Sequence, residues 1–144
     1  MQINLKKLSK EAIIPTRGSD AAAGYDLYAS MHIDNFKIPS GETAKIGTGI
    51  SLEIPDGYFG AIFARSGMAT KRGLRPANCV GVIDSDYRGE IIVALHNDND
   101  ELQIINNGDR IAQIVIMPYL DVTFNEVTCL SETNRGAGGF GSSG

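Results

Sequence analysis

The chain has 144 residues, 42% of them apolar and 21% charged, with a formal net charge of −4. That length suits one domain burying about two-thirds of its unfolded surface, and the composition is that of an ordinary soluble globular protein. With no basic run longer than Lys6-Lys7, the charge balance excludes a large nucleic-acid surface, and no apolar run approaches the ~20 residues of a membrane helix.

The amino terminus, Met1-Gln2-Ile3-Asn4-Leu5, lacks a secretory pattern, so a cytoplasmic location is expected. Cys79 and Cys129 both sit in apolar segments and read as reduced core thiols. With His32 and His96 they give no zinc-ligand spacing, which argues against a zinc hydrolase or zinc deaminase. A small phosphorylated ligand stays open, because a few placed arginines and backbone N–H groups suffice to hold one.

In chain order, Ile3 to Leu8 reads as a strand, Pro15 to Ala23 as a loop, and Gly24 to Ala29 as a short strand. Tyr25, Leu27 and Ala29 would share one face of it, and Asp26 and Tyr28 the other. From Ala44 to Ile54 the even positions are mostly apolar, the mark of a single half-buried strand. Turn residues recur at Pro39-Ser40-Gly41, Pro55-Asp56-Gly57, Asn97 to Asp100 and Asn106 to Asp109. Short strands so punctuated, with no long helical period, predict an all-β sandwich or barrel.

One short helix is expected after the strand Phe59 to Ala64: Ser66 as N-cap, Met68 to Arg72 as the body, Gly73 as terminator. Its amino end beside Arg65 would make an anion site, although a plain connector with a solvent-facing arginine fits the same residues. The run Arg110 to Met117 is apolar nearly throughout, as a sheet interior or subunit contact requires, and Gln113 interrupts it. A buried glutamine needs hydrogen-bond partners; bonding to a neighbouring backbone is the ordinary explanation, ligand contact the other.

Between Val80 and the apolar run Ile91 to Leu95 lies Gly81-Val82-Ile83-Asp84-Ser85-Asp86-Tyr87-Arg88-Gly89. A turn between two strands would set its charged and aromatic groups at a mouth. With Ile83 inward, Asp84 faces the opposite side, where it can take a proton from water if an electrophile is held about 3 Å beyond. Tyr87 offers a flat face to a sugar or base. A hairpin whose Asp, Ser and Gly merely make the turn is the competing reading. The glycine-rich end, Asn134 to Gly144, is by composition a flexible tail. The same glycines would let backbone N–H groups reach phosphate oxygens, with Arg135 adding charge and Phe140 a stacking face.

Five segments together resemble the trimeric dUTP pyrophosphatases (dUTPases): Ala22 to Leu27, Ala64 to Ala69, Gly81 to Gly89, Gly108 to Gln113 and Arg135 to Gly144. The likeness covers nearly the whole chain. It implies one domain, residues 1–144, with a jelly-roll-like β-barrel or sandwich, residues 132–144 as a flexible arm, and a homotrimer with active sites between subunits. The reaction implied is hydrolysis of dUTP to dUMP and pyrophosphate with Mg²⁺ on the triphosphate, lowering dUTP and supplying dUMP for thymidylate synthesis.

The resemblance makes Asp84 the base that activates water at the α-phosphorus, and Asp26 the holder of magnesium through its water ligands. It gives the α and β phosphates to Arg65, Ser66, Gly67 and Gln113. Asn78, Val82 and Tyr87 would form the uracil and deoxyribose pocket. Arg135, Ser142 and Ser143 would grip the γ-phosphate, with Phe140 and Gly141 covering the base. A dCTP deaminase of related fold needs a buried acid near carbon 4 of the base, and this segment offers none beyond Asp84 and Asp86. A non-catalytic nucleotide-binding trimer is the remaining alternative.

Overall fold

Alternating apolar residues make strands here, and Gly, Pro and Asn clusters cut them short. The computed structural model describes residues 1–141. Among these, twelve strands and one helix follow in order: β1 (Asn4–Lys7), β2 (Thr16–Arg17), β3 (Tyr25–Tyr28), β4 (Phe36–Ile38), β5 (Thr43–Gly47), β6 (Ile50–Glu53), β7 (Tyr58–Phe63), α1 (Ser66–Arg72), β8 (Leu74–Pro76), β9 (Gly81–Ile83), β10 (Ile92–Asn97), β11 (Gln103–Ile105) and β12 (Arg110–Pro118). No helix among them is long and apolar enough to cross a membrane.

The strands form four open antiparallel sheets, the largest in the order β2-β3-β12-β7-β9. A second sheet runs β5-β10-β8, and two pairs, β1-β6 and β11-β4, complete the layers. The all-β expectation with one short helix holds. Among the described residues no sheet closes on itself, so the barrel half of that expectation is corrected to packed open sheets. Closure needs an unbroken ladder, and here the chain changes sheet every few residues.

One apolar cluster joins all four sheets and the helix. Leu27, Leu74, Leu95, Ile105 and Ile111 are fully buried in it, and Met68 adds the inner face of α1. β12 is the longest strand and lies at the centre of the five-stranded sheet, where its continuous apolar run belongs.

Several local expectations are corrected. The alternating stretch Ala44 to Ile54 is two strands in different sheets, broken at Thr48-Gly49, where Gly49 takes φ 66°. Inside the expected loop, Thr16 and Arg17 form β2 and pair with Asp26 and Tyr25. On β3, Leu27 is buried but Tyr25 is exposed, with the Arg17 guanidinium 5.7 Å above its ring. The helix N-cap is Arg65 rather than Ser66, without a side-chain capping bond, whereas Gly73 ends the helix in the left-handed region at φ 61° as its type predicts. Arg65 stays extended because its side chain is tied to Asp26 on β3. Cys79 and Cys129 are exposed, not core thiols. Cys79 lies in a turn with φ 62°, its N–H bonded to Pro76 O, so its apolar neighbours do not carry it inward.

Candidate active site

The segment after β9 leaves the edge of the five-stranded sheet, because Ile83 pairs with Gly60 and Val82 with Ala61 on β7. It does not return as a hairpin: β10 belongs to the other large sheet, so the turn spans two sheets. Tyr87 N–H donates to Asp84 O at 3.2 Å, closing the turn, and the Tyr87 hydroxyl donates to Glu90 O at 3.0 Å. Arg88 braces it from behind, donating to Ser85 O and Tyr87 O at 2.5 and 3.1 Å and lying 3.8 Å from Glu53 on β6. Asp84 and Tyr87 are left exposed.

A cleft of about 150 Å³ opens there, lined by Val82, Ile83, Asp84, Tyr87, Glu90 and Ile92. A neighbouring cleft of about 180 Å³ adds Asn78 and Gly81 and shares Val82, Ile83 and Ile92 with the first. Apolar walls with one amide, two carboxylates and one phenol suit a small ring with polar edges. The structure thus gathers Asn78, Val82, Asp84 and Tyr87 into one place.

The second group forms where β3, β12 and β7 lie side by side, since Gln113 pairs with Asp26 on one flank and Phe63 on the other. Two residues past Phe63, Arg65 Nε donates to Asp26 Oδ1 at 2.7 Å; Arg110 Nη1 donates to Oδ2 at 3.3 Å. Gln113 Nε2 donates to Ala64 O at 2.9 Å, the backbone partner expected for a half-buried amide. A Cβ on Gly24 would fall 2.3 Å from Gln113 Oε1, so only glycine admits the amide at this spot. Asp26, the most buried member, is shared by two guanidinium groups, and one carboxylate against two cations leaves an anion-attracting surface. Ser66 and Gly67 are exposed beside it at the start of α1.

Arg110 was missed as a site residue. It lies in the motif Gly108 to Gln113, but its partner is 84 residues away, beyond any local pattern. Arg88 was read only as one of the charged groups of its segment, and Glu90, just past the end of that segment, was not singled out.

The two groups do not meet within one chain. Asp84 follows Ile83, which faces Gly60, whereas Arg65 lies beyond the far end of β7. At ~3.3 Å per residue the separation is roughly 20 Å. Among the described residues the carboxyl segment joins neither group: Arg135 Nε donates to Gly138 O at 2.7 Å, while Phe140 and Gly141 are exposed, Phe140 completely. Ser142 and Ser143 lie outside the described residues.

An acid and a phenol beside a ring-sized cleft at one end of β7, with an arginine-lined anion surface past its other end, suit the binding of a small phosphate-bearing molecule. The dUTPase family model matches residues 10–144. Over 144 residues, all of this chain and 99% of the relative, the sequence is 48% identical to the deoxyuridine 5'-triphosphate nucleotidohydrolase of Nautilia profundicola. The mitochondrial deoxyuridine 5'-triphosphate nucleotidohydrolase of Homo sapiens is 42% identical across the whole chain, which spans 55% of that protein. Among solved structures, the dUTPase of Staphylococcus bacteriophage 80alpha with dUPNHPP superposes at a TM-score of 0.89, with 30% identity over 99% of this chain and 98% of that one. The chain belongs to the dUTPase family, and is an enzyme of that class.

Proposed function

We propose that the protein hydrolyses dUTP to dUMP and pyrophosphate as a homotrimer with sites shared between subunits. The observation that carries this reading is the roughly 20 Å between Asp84 and Arg65 along β7. A base acting at the α-phosphorus and the clamp on the same phosphates belong within hydrogen-bond reach of one phosphoryl group, which supports a clamp supplied by a neighbouring copy. The neighbour from phage 80alpha, bound to dUPNHPP, supports a deoxyuridine nucleotide as ligand.

In this mechanism Asp84 accepts a proton from a water as its oxygen attacks the α-phosphorus. The bond from that phosphorus to the bridging oxygen breaks, and pyrophosphate leaves with the electron pair. Arg65, Arg110, Gln113 and the Ser66 and Gly67 N–H groups of a second copy meet the charge developing on the phosphates. Asn78 and the backbone near Val82 read the uracil edge. Tyr87 lies against the deoxyribose and leaves no room for a 2′-hydroxyl. The chain is then one domain whose residues 132–144 serve as an arm: Arg135, Ser142 and Ser143 hold the γ-phosphate, with Phe140 and Gly141 over the base.

Among the described residues no three His, Cys, Asp or Glu side chains converge, and both oxygens of Asp26 already accept from arginines. That donor set fits Mg²⁺ arriving on the triphosphate and met through its water ligands by Asp26, not an ion caged by protein. Carried on the substrate, it would neutralise phosphate charge. A cytoplasmic enzyme of this kind keeps dUTP low and supplies dUMP for thymidylate synthesis.

Incubation of the purified protein with dUTP and, separately, dCTP tests the reading. Pyrophosphate from dUTP alone is expected; ammonia from dCTP, or tight dUTP binding without turnover, would overturn it.

A further inference from the structure

We infer that Glu90 is a positioning residue for sugar discrimination, acting through Tyr87 on a segment anchored at the break between β5 and β6. The inference rests on the proposal that Tyr87 meets the deoxyribose.

Tyr87 is exposed, and the hydrogen bond found for its side chain among the described residues goes from its hydroxyl to the main-chain oxygen of Glu90. The ring folds back so closely that a Cβ on Gly89 would lie 2.3 Å from the hydroxyl oxygen and 2.5 Å from Cζ. The angle of the ring therefore follows the position of the Glu90 carbonyl.

That carbonyl belongs to a stitched segment. The Glu90 carboxylate accepts from Gly49 N–H at 2.8 Å; Thr48 donates to Ile91 O through both its hydroxyl, at 2.6 Å, and its N–H, at 3.2 Å; Ile91 N–H donates to Ile50 O at 2.9 Å. Thr48 and Ile91 are fully buried. A Cβ on Gly47 would lie 2.5 Å from Glu90 Oε1, so Gly47 leaves the slot that the carboxylate fills and Gly49 supplies the N–H it accepts. Asp84 follows directly on β9, which is held by β7 on the other leg of the turn, and is linked to the stitched leg through the Tyr87 N–H bond to Asp84 O. The two legs thus give the catalytic carboxylate and the sugar-reading ring different anchors.

The experiment compares kcat/KM for dUTP and UTP in the intact protein, in Glu90→Ala, in Glu90→Gln and in Tyr87→Phe. An apolar site rejects an extra hydroxyl by about a hundredfold, so a ring freed to swing should lose at least about tenfold of that ratio. Glu90→Ala is expected to show this loss as a rise in kcat/KM for UTP relative to dUTP, read as a ratio so that any common fall in turnover cancels. Glu90→Gln keeps an oxygen for Gly49 N–H and should restore the ratio. Tyr87→Phe removes the bond from the other side, leaves the strand break untouched, and should shift the ratio in the same direction; it decides the matter if Glu90→Ala does not fold. Equal loss on both substrates, as a merely structural role would give, or an unchanged ratio in Tyr87→Phe, overturns the inference. A wild-type protein that turns over no dUTP instead overturns the proposed function on which it rests.

Discussion

Gly49→Ala tests whether the chain is truly broken between β5 and β6, because the two alternatives differ in sign. Were Ala44 to Ile54 one continuous strand, replacing glycine by alanine would stabilise it by about 0.5–1 kcal/mol. In the structure Gly49 has φ 66°, which costs a residue with a Cβ about 1–2 kcal/mol. The added methyl would also lie 2.6 Å from Ser30 Oγ and 2.9 Å from the Ala12 Cβ. Ser30 can rotate away by giving up its bond to Ser9 Oγ, but Ala12 is 1% exposed and has nowhere to go. Overpacking of this kind costs about 1–3 kcal/mol, and the stiffer unfolded chain returns about 0.4–1 kcal/mol. The net is about 3 kcal/mol of destabilisation. For a chain of 144 residues the unfolding entropy is about 0.3 kcal/mol per kelvin, so Tm should fall by about 10 °C. Thermal unfolding of both proteins at one fixed concentration is the assay, since oligomers melt in a concentration-dependent way. A Tm equal to or above that of the parent would refute the reasoning.

Asp84→Asn should abolish turnover yet leave dUTP affinity within about tenfold, as a calorimetric titration against a turnover assay would show; near-normal turnover would remove Asp84 as the base. Ending the chain after Ser131 should leave a folded trimer by light scattering with turnover down at least about a hundredfold, and full activity would return the tail to mere flexible chain. Asp26→Asn leaves Arg65 and Arg110 without their shared carboxylate, so kcat/KM should drop about tenfold or more and the Mg²⁺ needed for half-maximal rate should rise. An unchanged Mg²⁺ titration would argue against that role for Asp26. Chelation with EDTA should stop turnover without dissociating the proposed trimer, read by a turnover assay and by light scattering.

The all-β character was legible because strand periodicity and turn residues are local properties. The break at Gly49 was not, because Ile46 and Ile50 keep the same even parity on either side of it, so the alternation runs through unperturbed. The trace it left was the pair of glycines, Gly47 and Gly49, around Thr48. The helix end at Gly73 was readable from residue type, whereas its start depends on Arg65 being held 39 residues away by Asp26. Cys79 misled because apolar neighbours say nothing about a backbone that turns outward at φ 62°. At the site, motif order pointed to Asp84, Tyr87, Asp26, Arg65 and Gln113, and the structure sorts them into two groups. The contributions of Arg110 and Glu90 arise from long-range pairing, which no window of neighbouring residues records.

Strand β7 acts as a spacer, and spacers have genetic consequences. A chain disabled at Asp84 and another disabled at Arg65 each spoil only one end of it. Co-folded in the proposed trimer, two such dead variants should regain activity wherever an intact end of one faces an intact end of the other. Conversely, a copy damaged at both ends should silence two of the three shared sites, one through each end.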